Sequence, residues 1–217
     1  MTATRIIPAY YSNLGRLRML GGDAALDMAN TTHWRDGAII DFINDYESLL
    51  NWCVPAKLLT INEAGALLGR SKREISTSVK VLKQWLRIRN RLREHLSLLT
   101  AKAEGQIGQA SSFEPLAKDI RLIVGKFDVL DVLGEFGKDP KQIALTLPLT
   151  RTLSAILNLM LFTPPSLIHL CEGDPCGAYF INHSRSKPRR WCAMDSCGNR
   201  AKVHRHRAVN AGSASHP

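Results

Sequence analysis

Apolar positions recur at helical intervals through most of the first 162 residues. Ile39, Ile40, Phe42, Ile43, Tyr46, Leu49 and Leu50 return every three or four residues, which predicts a helix over 36–52 closed by Pro55. A first helix over 14–30 precedes it, and a short one over 61–68, ended by Gly69, follows. Ser71 suits the cap of the next helix, where Ile75, Val79, Leu82, Leu86, Leu92, Leu96 and Leu99 mark a buried stripe. That long helix is the expected spine. Beyond a Gly- and Ser-bearing loop at 105–112, Pro115 fits the first turn of a helix carrying Leu116, Ile120, Ile123 and Phe127. Segments 129–133 and 143–147 flank Gly134, Gly137 and Asp139-Pro140 as the strands of a β-hairpin would. Pro148 opens a last helix through Phe162, and Pro164-Pro165 ends it.

After the diproline the pattern changes. Segment 167–170 leads into Cys171, 178–181 is strand-like, 184–188 is a turn, and the chain reads as helical from Gly198. Cys171 and Cys176, then Cys192 and Cys197, form two Cys-x4-Cys pairs separated by fifteen residues. Two cysteine loops of this kind bring four thiolates around one tetrahedral ion, for which zinc is the usual occupant of a closed, structural shell. Metal binding can supply about 10–16 kcal/mol, enough to fold a segment too short to bury its own core. Knuckle, hairpin and then helix is the order of a treble-clef-like finger, with Tyr179, Phe180 and Trp191 covering the site. The expected fold is therefore mainly α: a helical body with a small β-hairpin over 1–165, a zinc finger over 166–210, and a disordered tail at 211–217.

Charge adds a partner. The chain carries a formal +10, and the forty residues 171–210 hold eight Lys or Arg against three Asp or Glu. Four thiolates on one divalent ion would remove about two charges, so the positive field there is softened but survives. Such a patch is the footprint expected for phosphate binding. No signal peptide opens the chain, and the apolar run 156–162 cannot span a bilayer, so no membrane partner is expected. A cytoplasmic location follows, in which paired cysteines bind metal or do redox chemistry more often than they form disulfides. Cys53, beside Trp52, reads as a core residue.

The run Trp191-Cys192-Ala193-Met194-Asp195-Ser196-Cys197-Gly198-Asn199-Arg200-Ala201-Lys202 resembles the signature of the CGNR zinc finger, and the likeness extends upstream through Cys171, Cys176, Phe180, Ser184-Arg185 and Arg189-Arg190. That family commonly carries an N-terminal helical ABATE domain in bacterial, stress-induced transcription regulators. The run from Leu26 through Asp27, Met28, Ala29 and Asn30 to Thr31 is similar to that domain's opening, and Arg91-Leu92-Arg93-Glu94 to its central helix, although Met28 and Ala29 stand where Phe and Val are usual. Asn182 likewise replaces a common acidic residue.

The resemblance implies a zinc-dependent DNA-binding regulator rather than an enzyme. Its helical domain would sense a small ligand or mediate assembly through a protein partner. No phosphate-binding glycine loop, His-Glu-x-x-His or nucleophile elbow is present in the sequence. Arg185, Lys187, Arg189 and Arg190 before the second cysteine pair, and Arg200, Lys202, Arg205 and Arg207 after it, are the candidate contacts to duplex DNA. Arg200 or Arg205 has the fork to read guanine. The alternatives are a protein-interaction adaptor with a purely structural finger, an RNA-binding module, or a redox switch that releases zinc. Residues 58–85 also mimic a helix-turn-helix, but the following helix is too long for a recognition helix and favours a core pair. Asp27 and Asn30 read as fixing a helix end, with a small-ligand pocket as the alternative.

Overall fold

The structure, a computed structural model, describes residues 18–35, 38–101, 109–125, 143–184 and 188–213. Among them the chain forms seven α-helices and two separate two-stranded antiparallel hairpins. It is mainly α, as expected.

Glycine and aspartate set the start. Gly22 takes φ +76°, and a Cβ on Gly21 would lie 2.7 Å from the Cβ of Leu26. Within the described part of the helix expected over 14–30, the helical residues are α1, Ala24–Ala29, capped by the Asp23 carboxylate accepting from the Ala25 N–H at 2.7 Å, and 14–17 lie outside the described residues. The helix expected over 36–52 is also corrected. Its part at 38–41 is strand β2, Ala38–Asp41, which pairs antiparallel with β1, Thr32–Arg35, in register Thr32 to Asp41. Only α2, Tyr46–Cys53, is helical, because Asp45 and Ser48 form a reciprocal capping box that fixes its first turn. β-branched and aromatic residues cluster in 31–40, which favours strand over the helical period.

Helix α3, Ile61–Ser71, starts from a second capping box between Thr60 and Glu63 and runs through Gly69, where open space surrounds the missing Cβ. Ser71 is its last residue, bonding the Leu68 carbonyl, rather than the cap of the next helix. Helix α4, Ile75–Thr100, is the spine, about 39 Å long. Its buried stripe is Val81, Leu82, Trp85, Ile88, Leu92 and Leu96, whereas Ile75 and Val79 are exposed. A helix of this length, buried along one face after a short turn, makes α3 and α4 a core pair. Helix α5, Gln109–Val124, packs along α4, with Asp119 clamped by Arg87 and Arg91. It begins earlier than expected and holds Pro115 in its interior. Helix α6, Leu147–Phe162, buries Leu153, Ile156 and Leu159, and its Thr152 hydroxyl accepts from the Trp85 indole at 3.1 Å. Arg151 reaches α3 with two bonds to Glu63, at 2.8 and 2.9 Å, and this guanidinium holds the Glu63 carboxyl down at about 2.

The hairpin expected from 129–133 and 143–147 is not the one observed. The first segment lies outside the described residues, and 143–146 is coil and turn leading into α6. Cys53 is fully buried in the core, and burial pushes its thiol up. No helix among the described residues is long and apolar enough to cross a membrane.

The second hairpin joins the body to the cysteines. Strand β3, Ile168–Leu170, pairs with β4, Tyr179–Ile181, in register His169 to Phe180. The other edge of β4 is satisfied by the body. The Asn30 carboxamide donates to the Tyr179 carbonyl and accepts from its N–H, both at 2.8 Å, and the Ile181 N–H donates to the Gly21 carbonyl at 2.8 Å. Asn30 thus acts as a strand peptide in place of a ligand, and Asp27 does similar work by accepting the Gly21 N–H at 2.8 Å.

Asn30→Ala should leave both polar atoms of Tyr179 unpaired in a buried site and destabilise the protein by about 2–4 kcal/mol, read from chemical denaturation with zinc present. Burial, opposed by the Gly21 and Leu20 backbone bonds, raises the Asp27 carboxyl from 3.8 to about 6. Its folded value exceeds its unfolded one, so its contribution is fully present below 3.8 and is lost as pH rises through about 6. Asp27→Asn keeps an acceptor for Gly21 without the titration. The variant should gain about 2–3 kcal/mol over the parent between pH 4 and 7, and parallel pH curves for the two proteins would refute this.

Candidate metal centre

The first cysteine loop closes by a backbone bond from the Cys171 N–H to the Ala178 carbonyl, at 2.8 Å. Gly177, at φ +71°, makes the turn back into β4. Strand alternation then sends Phe180 to one side and Tyr179 and Ile181 to the other. Phe180 packs with Cys171, Ala178, Cys192 and Cys197, whereas Tyr179, Ile181 and Ile168 belong to the core of the body. Of the three aromatics expected over the site, Phe180 and Trp191 are there and Tyr179 is not.

The second loop is tied to the first by the Glu172 N–H on the Arg190 carbonyl, at 2.9 Å. A single π-type turn, Met194–Gly198, carries Cys197 and runs into helix α7, Asn199–Ser213. A Cβ on Gly198 would lie 2.6 Å from the Met194 sulfur, the flexible end of a half-exposed side chain that would have to move aside. The helix continues three residues into the segment expected as a disordered tail, and residues 214–217 lie outside the described residues.

The ligand atoms of Cys171, Cys176, Cys192 and Cys197 lie within 4.8 Å of one another. Cys192 Sγ is 3.7 Å from both Cys176 Sγ and Cys197 Sγ. A zinc tetrahedron with bonds of about 2.3 Å has edges of about 3.8 Å. The four sulfurs therefore fit one zinc ion with all positions filled by protein, a structural rather than catalytic shell. Cys171 Sγ also accepts from the backbone N–H of Gly173, at 3.4 Å, and of Cys192, at 3.3 Å. Hydrogen bonds from the Cys176 and Cys192 thiols, helped by those backbone donors, draw the Cys171 thiol down to about 2. Giving those bonds pushes Cys176 up to about 12 and raises Cys192 as well. A divalent ion would replace the protons so shared.

The basic residues divide into two groups. Arg189 donates to the Ile181 carbonyl at 2.8 Å and lies 4.9 Å over the Phe180 ring. Arg190 pairs with Glu172 at 2.6 Å and sits over Trp191. Arg200 donates to Cys197 Sγ at 3.1 Å. These three serve the finger itself. Lys202, Arg205 and Arg207 are exposed on α7, and Arg185 and Lys187 lie outside the described residues. His204 and His206 are exposed on the same helix, apart from the sulfurs. A groove of about 440 Å³ beside α7 is lined by Asp195, Asn199, Arg200, His204 and Arg207 among others. Two contributors escaped sequence reasoning. Arg18 pairs with Asp195 at 2.6 Å from far away in the chain. Gly173 lies so close to the sulfurs that a Cβ would be 2.7 Å from Cys197 Cβ and 3.0 Å from its sulfur. The glycine two residues after the first cysteine was the available signal.

Residues 168–209 match the family model of the CGNR zinc finger. No curated protein and no solved structure matches the chain.

The purified protein should hold one zinc per chain, and Cys192→Ser should lose it, as metal analysis would read directly. Gly173→Ala, which leaves every ligand in place, should weaken zinc retention by about tenfold or more by forcing Cys197 aside. Unchanged retention would mean the cysteines shift freely.

Proposed function

We propose that the chain is a zinc-dependent, DNA-binding transcription regulator of the stress-induced kind, acting without catalysis. In this reading α7 contacts duplex DNA, and the helical part, likened by its sequence to the ABATE domain, senses a signal or mediates assembly. The observation that carries it is α7 itself. Lys202, Arg205 and Arg207 stand exposed on a helix with no acidic residue, which follows directly on the turn that carries Cys197. Asp195, the nearest carboxylate in the preceding turn, is paired with Arg18 in an exposed ion pair.

Cations on one rigid helix favour phosphate contacts that set affinity and register. Arg200 and Arg189, engaged within the finger, are left out of the contacting set. Arg190 is different. Its ion pair with Glu172 is exposed, so the pair contributes under about 1 kcal/mol and a phosphate can displace it. Among the described residues the set is therefore Lys202, Arg205 and Arg207, with Arg190 at the margin; Arg185 and Lys187 lie outside them.

Three phosphate contacts predict that the logarithm of affinity for random-sequence duplex DNA falls with log salt at a slope of about −3, measurable by fluorescence anisotropy. The double variant R205A/R207A should flatten that slope by about 2 units while keeping its zinc. Binding that ignores salt, or is unchanged in the double variant, would sink the DNA reading. Tighter binding to single-stranded RNA than to duplex DNA would move it to RNA.

A further inference from the structure

Arg200 is the last residue of the Cys197-Gly198-Asn199-Arg200 run, and it was a candidate for reading bases. Its place in the structure gives it different work. It lies in the first turn of α7, where helical side chains lean back toward the N-terminus, and its Nη2 comes to 3.1 Å from Cys197 Sγ. The guanidinium is always charged and is a donor only, so the sulfur is the acceptor.

The other sulfurs find their donors differently. Cys171 Sγ accepts from two backbone N–H groups, at 3.4 and 3.3 Å. Among the described residues, Arg200 supplies the one side-chain cation hydrogen-bonded to any of the four sulfurs. Lys202 and Arg205 point elsewhere. At 100° per residue they fall on the side of the helix opposite Arg200, about half a turn away.

We propose that Arg200 is a positioning residue of the metal site: its charge-assisted hydrogen bond holds the Cys197 sulfur in its ligating orientation and offsets part of the negative charge of a four-thiolate shell. A divalent ion with four thiolates carries a net charge of about −2, next to the apolar surface of Phe180 and Trp191. A cation hydrogen-bonded at 3.1 Å to the buried Cys197 sulfur, from an arginine that is itself exposed, compensates part of it. Outer partners of this kind tune both orientation and donor strength of a ligand. The fourth residue of the tetrapeptide therefore serves the metal, and the groove it lines beside His204 and Arg207 loses one free cation.

The test needs no nucleic acid, so its outcome is separate from that of the DNA reading. Zinc retention of the full chain is measured by competition with a chromophoric chelator for the parent, Arg200→Ala, Arg200→Lys and Arg205→Ala. Arg200→Ala should retain zinc about 10–100-fold less well, Arg200→Lys should fall between, and Arg205→Ala, which removes the same charge further along the helix, should match the parent. The cobalt-substituted proteins give the second readout. A thiolate relieved of its hydrogen bond is a better electron donor, so the sulfur-to-cobalt charge-transfer band of Arg200→Ala should move to lower energy, which mere loss of helix support would not cause. Retention equal to that of Arg205→Ala, or a fall in retention with an unmoved band, would overturn the proposal. If Arg200→Ala does not fold, Arg200→Met, which keeps the apolar stem without charge or donor, takes its place, and a band identical to the parent's with normal retention overturns the proposal equally.

Discussion

A strand edge leaves backbone donors and acceptors unpaired, and burying such an edge without partners is costly. β4 meets this constraint with a side chain. The Asn30 carboxamide presents one donor and one acceptor to the same residue, Tyr179, with the geometry of a neighbouring peptide. Because β4 is satisfied on both edges, its two faces can be committed to different cores. Tyr179 and Ile181 close the helical body, and Phe180 floors the cysteine cluster one residue away. The metal site is thereby held at a defined place on the body. Asp27 extends the arrangement by fixing Gly21, whose carbonyl takes the Ile181 N–H. The short helix α1, hardly more than a turn, thus carries the polar groups on which this junction depends.

How much of this was legible follows from the range of the interactions. The four cysteines were readable because their spacing is local to each loop and the chemistry of four thiolates is nearly unambiguous. The long helix was readable because Leu82, Leu92 and Leu96 repeat the helical period along a continuous segment. The 36–52 segment misled because its apolar residues fit a helical period although β-branched residues, a turn and the Asp45 capping box divide it. Position 30 was visible only as a polar residue at a helix end. Its partner is 149 residues away, and no local pattern announces such a bond. Which arginines bond within the finger was illegible for the same reason. Composition counts charges, whereas the Ile181 carbonyl, Glu172 and Cys197 decide which of those charges are already used.

Helix α7 has little reason to exist by itself. An isolated helix of its fifteen residues is marginal in water even with good helix formers. This one places Arg200, Lys202, His204, Arg205, His206 and Arg207 close together with no acidic residue to pair at helical spacing. Among its described side chains no buried apolar face docks against the body from Lys202 to Arg207, all of which are exposed. What remains to start it is the π-type turn, which carries Cys197 and has its Gly198 N–H bonded back to the Ala193 carbonyl. That turn has a stable shape only while the four sulfurs are held together. The cationic helix is therefore the dependent element and the metal knot its nucleus. Loss of the ion would dissolve the surface proposed to meet DNA without removing a single positive charge.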